Sequence, residues 1–176
     1  MKTKLIIATF LFFLFTLGQG YTQDDSTRVK LSEPVPSFDF EKSPGIRQDM
    51  SDLKGKVVLI TFFATWCGPC RKELPFIESE IYKKYKNVSE FELLIFGREH
   101  SWEEVNKFRS DNKFEMPFYP DPQRAVFSKF AGQNIPRSFL ISPEGNIVYS
   151  SVGFVEKDFD ELKKHIKEQL NKLYKR

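Results

Sequence analysis

Only two cysteines occur in this chain, and they stand three positions apart in Trp66-Cys67-Gly68-Pro69-Cys70. Ahead of them the run Lys56-Val57-Val58-Leu59-Ile60-Thr61-Phe62-Phe63 is apolar and rich in β-branched residues, the pattern of a strand buried in a parallel sheet. Behind them Leu74, Ile77, Ile81 and Tyr82 recur at helical spacing with charges between them, so residues 71–82 read as an amphipathic helix. Cys67 therefore falls at a strand-to-helix junction, with Pro69 near the first turn, where its missing N–H costs nothing. A helix N-terminus presents unpaired N–H groups and partial positive charge, which favour a thiolate. The first sulfur of a Cys-x-x-Cys motif so placed commonly titrates at ~3.5–7.5. Cys67 is thus the candidate nucleophile, and Cys70, one turn deeper, is placed to resolve a mixed disulfide. A stapling disulfide would close too small a loop to gain much. A zinc site would need two more ligands, which the two distant histidines do not supply. The pair reads as a redox dithiol.

The segment Thr65-Trp66-Cys67-Gly68-Pro69-Cys70-Arg71-Lys72-Glu73-Leu74-Pro75 resembles the active-site segment of the thioredoxin superfamily, in particular its exported TlpA/ResA-type branch. Ile135-Pro136-Arg137-Ser138-Phe139-Leu140-Ile141, with Gly145 and Val148, is similar to the second signature of that branch. The likeness runs from about Val35 to the C-terminus. It implies an α/β thioredoxin fold: a central mixed β-sheet flanked by helices, with an N-terminal β-hairpin and a central αβ insertion. It also implies an exported thiol–disulfide oxidoreductase that needs no cofactor or metal beyond the redox-active Cys67–Cys70 pair.

By the same resemblance, Trp66, Gly68 and Pro69 support the active site. Pro136 follows a cis bond and packs on the cysteine pair, and Ile135 offers backbone groups to a docking peptide. Arg137 departs from the small hydroxyl residue common at its position; it is expected to select acidic or phosphate-bearing partners, or simply to be solvated. Thioredoxins carry an acid six positions before the first cysteine, where this chain has Thr61. Thiol exchange needs a proton acceptor for the second sulfur, and Glu99, after the second core strand, is the expected one, with His100 as the fallback. A Gly-Pro pair between the cysteines resembles reducing thioredoxins, so the expected activity is reduction of exported protein disulfides, apocytochrome c among them. Protein disulfides or dithiols are then the substrates, and a membrane thiol–disulfide donor must resupply electrons. Disulfide oxidation or isomerisation, thiol peroxidase activity and non-enzymatic copper delivery are the alternatives.

Residues 1–20 read as a signal peptide: Lys2 and Lys4, then an apolar run over residues 5–17, then Gly18-Gln19-Gly20. The run is shorter than the ~20 residues of a spanning helix, so cleavage is expected, with an inner-membrane anchor the outcome if it is retained. The expected location is the periplasm. Without these residues the net charge falls from +3 to +1, which gives no footprint for nucleic acid. Residues 21–33 are polar and read as a tether, and residues 34–176 as the domain.

Within that domain, Phe38 and Phe40 alternate before the turn at Lys42-Ser43-Pro44-Gly45, and Ile46-Arg47-Gln48 can pair back. Residues 91–96 form a second strand parallel to the first. Ser101 and Glu104 make a capping box for a helix bearing Trp102, Val105 and Phe108. Prolines bar Met116-Pro117-Phe118-Tyr119-Pro120 from a central strand. Asp121-Pro122 reads as an N-cap and first helical residue. Residues 138–141 and 147–150 form an antiparallel hairpin, and Phe159, Leu162, Ile166, Leu170 and Leu173 mark the apolar stripe of a closing helix.

Overall fold

The computed structural model describes residues 26–175. The expected signal peptide, the first part of the tether and Arg176 lie outside them. Phe40 is buried on β1 (Asp39–Ser43), which turns at Gly45 and pairs antiparallel with β2 (Ile46–Asp49). The apolar run before the cysteines is β3 (Val57–Phe63), buried at every position. After it come α1 (Gly68–Phe76), a π-helical turn at Ile77–Tyr82, and the short α2 (Lys83–Tyr85). Then follow β4 (Phe91–Arg98), α3 (Trp102–Asp111), β5 (Tyr119–Asp121), α4 (Phe127–Phe130), β6 (Arg137–Ile141), β7 (Ile147–Val152) and α5 (Glu156–Tyr174).

The main sheet runs in the order β5-β4-β3-β6-β7, with β3, β4 and β5 parallel and β6 and β7 antiparallel to their neighbours. Successive side chains of a strand point to opposite faces, and β3 divides the core accordingly. Val57, Leu59 and Phe63 join the cluster that holds Cys67, Cys70, Leu74 and the α5 residues Phe159, Leu162 and Ile166. Val58, Ile60 and Phe62 join Phe38, Phe40, Phe96, Phe127 and Phe130 on the other face. The hairpin is thereby stitched to the sheet through aromatic edge-to-face pairs such as Phe40 on Phe96, 5.4 Å apart.

Two expectations need correcting. Asp121 does not begin a helix: it ends β5, the chain bends at Arg124 (φ 58°), and α4 begins six residues later at Phe127. Its carboxylate still caps, accepting the N–H groups of Val126 at 3.1 Å and Phe127 at 2.8 Å. Nor is the described part of the tether free of the domain. Thr27 bridges Ala131, the Arg28 N–H donates to Phe130 O at 2.8 Å, and the Ser32 N–H donates to Ile147 O at 2.8 Å. Backbone pairing needs no apolar side chains, so a polar stretch can dock this way.

The end of β4 lies close against α3. A Cβ placed on Gly97 would lie 2.5 Å from Val105 Cγ1 and 3.1 Å from His100 Cβ. Gly97→Ala is therefore expected to lower stability by about 1–3 kcal/mol through overpacking, read as the shift in urea midpoint. An unchanged midpoint would show that α3 moves aside at no cost.

Candidate active site

Cys67 is the N-cap of α1, and its Sγ accepts the Cys70 N–H at 3.2 Å. The two sulfurs form a disulfide. Cys70 is completely buried and Cys67 is 5% exposed, beside Trp66, which is 64% exposed. The guanidinium of Arg98 lies 5.7 Å from the Trp66 ring centre. Any partner must therefore approach Cys67 across the face that carries Trp66, and Cys70 lies out of reach behind it. A Cβ at Gly68 would meet nothing within 4 Å beyond its chain neighbours, so this glycine answers no packing need.

The Ile135–Pro136 bond is cis, and the Ile135 carbonyl oxygen lies 3.7 Å from Cys67 Sγ. The second signature segment is thus brought against the first, as the resemblance implies. In the reduced protein this carbonyl is placed to accept a hydrogen bond from the Cys67 thiol.

The helix that starts at the pair also buries a carboxylate. Glu73, one turn beyond Cys70 on α1, is 3% exposed. It accepts the Ser138 hydroxyl at 3.5 Å, and Ser138 Oγ is 3.0 Å from Thr61 Oγ1. Glu73 Oε2 is buried with no hydrogen-bond partner among the described residues. Burial pushes its pKa up to about 8, against a smaller opposing effect of the Ser138 hydrogen bond. Residues three apart on a helix share a face, so Glu73 stands on the same face of α1 as Cys70, and Ser138 links it to Thr61, the position where thioredoxins carry their acid.

The expected acceptors are engaged elsewhere. Glu99 follows β4, whose Gly97 pairs with Phe63 of β3, so it emerges at the same sheet edge as the cysteines. Its carboxylate pairs with Arg98 at 3.3 Å and Arg124 at 3.6 Å. His100 is buried and its Nε2 accepts the Thr65 N–H at 2.9 Å. That nitrogen steadies the chain entering the motif and has no free lone pair to take a thiol proton.

Arg137 is the clearest reversal. It is neither solvated nor aimed at a partner: it is 1% exposed, and its Nε donates to the carbonyls of Gln133 at 2.9 Å and Asn134 at 3.2 Å.

The Redoxin family profile matches residues 30–166. This chain belongs to the Redoxin family. Like the thiol–disulfide oxidoreductase ResA of Bacillus subtilis, to which it is 32% identical over 84% of each chain, this Redoxin protein is a thiol–disulfide oxidoreductase. Its fold is similar to a solution structure described as a candidate protein disulfide isomerase from Bacteroides thetaiotaomicron, with 36% identity and a TM-score of 0.79 over 83% of this chain and 93% of that one. A crystal structure described as a candidate thiol:disulfide interchange protein DsbE from Chlorobium tepidum matches at 26% identity and a TM-score of 0.64, covering 82% of this chain and 98% of that one.

In this Redoxin domain the residue that sequence reasoning passes over is Glu73. A signal for it exists. Arg71-Lys72-Glu73 looks like a solvated charged face, yet Glu73 stands three after Cys70 and four before Ile77, on the stripe that the helix turns inward.

Proposed function

We propose that this protein works outside the cytosol as a reductase of protein disulfides, with Cys67 attacking and Cys70 resolving. The observation that carries the reading is the asymmetry of the pair: Cys67 caps a helix beside an exposed tryptophan, while Cys70 is sealed behind it. The Cys67 thiolate attacks one substrate sulfur and expels the other as a thiolate, giving a mixed disulfide. Cys70 gives up its proton and attacks Cys67 Sγ, releasing the substrate dithiol and leaving the Cys67–Cys70 disulfide. Two electrons pass to the substrate, and a membrane thiol–disulfide donor restores the dithiol.

Glu73 takes the Cys70 proton. An acid titrating near neutrality is suited to accept a proton in one direction and return it in the other. The leader-like residues 1–20 support export, and among the described residues no helix is long and apolar enough to cross a membrane. Exported proteins with paired cysteines, apocytochrome c among them, are the proposed substrates.

The reduction potential of the pair tests the direction, by thiol trapping in graded glutathione or dithiothreitol buffers. A value well below about −200 mV is expected of an electron donor. A value near about −120 mV, where strong oxidants sit, would turn the assignment to disulfide formation.

A further inference from the structure

Among the described residues Arg137 has the largest completely buried side chain, and a buried cation persists only where hydrogen bonds surround it. Here they come from two directions. Nε holds the Gln133 and Asn134 carbonyls, which belong to the loop immediately before Ile135. Nη1 donates to Thr27 Oγ1 at 2.6 Å and Nη2 donates to Ser26 Oγ, both more than a hundred residues earlier in the chain. The Arg137 backbone is itself fixed in β6, paired with Phe62 on one side and Val152 on the other.

The gripped loop needs holding. Asn134 has φ 62°, a region that non-glycine residues enter at a cost. The segment that supplies the hydroxyls is docked along the same loop: Thr27 bridges Ala131, and the Gly132 N–H donates to Ser26 O at 2.6 Å. The next carbonyl beyond the gripped pair is that of Ile135, 3.7 Å from Cys67 Sγ.

We propose that Arg137, clasped by Ser26 and Thr27, is a positioning residue that sets the Ile135 carbonyl against Cys67 and so determines how tightly a protein disulfide is held at the sulfur. This rests on the reductase reading above. In a mixed disulfide the Cα atoms of the joined cysteines lie ~4.4–6.8 Å apart. The substrate backbone must then run beside Ile135, whose carbonyl is placed to accept one of its N–H groups in the manner of an added strand. A small aryl disulfide has no peptide N–H to offer and is indifferent to the clasp. Ser26 and Thr27 thereby support the site at one remove, through the Arg137 guanidinium.

The test compares the full chain with Ser26→Ala/Thr27→Val, Arg137→Lys and Arg137→Met, using insulin and a small aryl disulfide, dithiobis(nitrobenzoate), as substrates. For the hydroxyl double variant, KM for insulin is expected to rise about five- to tenfold with kcat little changed, while the aryl disulfide is reduced within about twofold of the normal rate. Arg137→Lys should fall between, because an ammonium lacks the fork that reaches carbonyls and hydroxyls together. If Arg137→Met does not fold, the hydroxyl variant still decides the matter. An unchanged KM for insulin, or losses on both substrates that track the folded fraction, would overturn the clasp while leaving the reductase reading in place. Wild-type protein that reduces neither substrate would overturn the reductase reading, and the clasp's functional role with it.

Discussion

Cys67→Ser is expected to lower disulfide reduction by on the order of a thousandfold or more, because a serine hydroxyl is not ionised near neutral pH and cannot replace the thiolate. Cys70→Ser should fail differently. Its Cys67 can still attack, but no second sulfur remains to release the product, so a covalent adduct with the substrate should accumulate. The contrast follows from access: Cys67 lies at the helix start beside Trp66, and Cys70 has no exposed surface. Non-reducing electrophoresis and mass spectrometry after mixing each reduced variant with a disulfide-bonded protein would read the outcome. An adduct formed by Cys67→Ser and absent from Cys70→Ser would reverse the two roles.

What the sequence made legible was local pattern. The continuous apolar run gave β3, the Ser101–Glu104 capping box gave the start of α3, and the three-and-four spacing gave α5. The resemblance places Ile135–Pro136 against the cysteines, and in the structure the bond is cis and the Ile135 carbonyl lies 3.7 Å from Cys67 Sγ. The misread positions depend on distant partners. Arg137 is buried because hydroxyls over a hundred residues away receive its guanidinium, and nothing in its neighbourhood announces them. Asp121 followed by proline has the local signature of a helix start. Whether the helix begins there or six residues later depends on the bend at Arg124, which the motif does not encode. The π-helical turn at Ile77–Tyr82 follows Pro75, a residue unable to donate to the helical ladder.

Glu73→Gln is expected to slow resolution of the mixed disulfide by on the order of a hundredfold near pH 8, the usual cost of losing a positioned acid–base group. The amide keeps the shape and removes the ionisation. In wild-type protein the ionised, proton-accepting fraction of Glu73 grows as pH rises toward about 8, so the resolution rate should climb through that range and the variant should lack this rise. Stability supplies an independent reading with a definite sign. The folded pKa of Glu73, about 8, lies above its ordinary 4.5, so the folded protein binds more protons than the unfolded chain between these values. Its favourable contribution is fully present below about pH 4.5, declines as pH rises, and is gone above about pH 8, a span of order a few kcal/mol. The neutral glutamine has no such dependence. Urea unfolding of the oxidised proteins from pH 5 to 9 should therefore show the variant gaining on wild type as pH rises, with the change complete just above pH 8. Parallel stability curves would mean that Glu73 ionises as an ordinary surface carboxylate does, and the proton would then have to leave Cys70 by another route, with Glu99 at the same sheet edge the next group to replace.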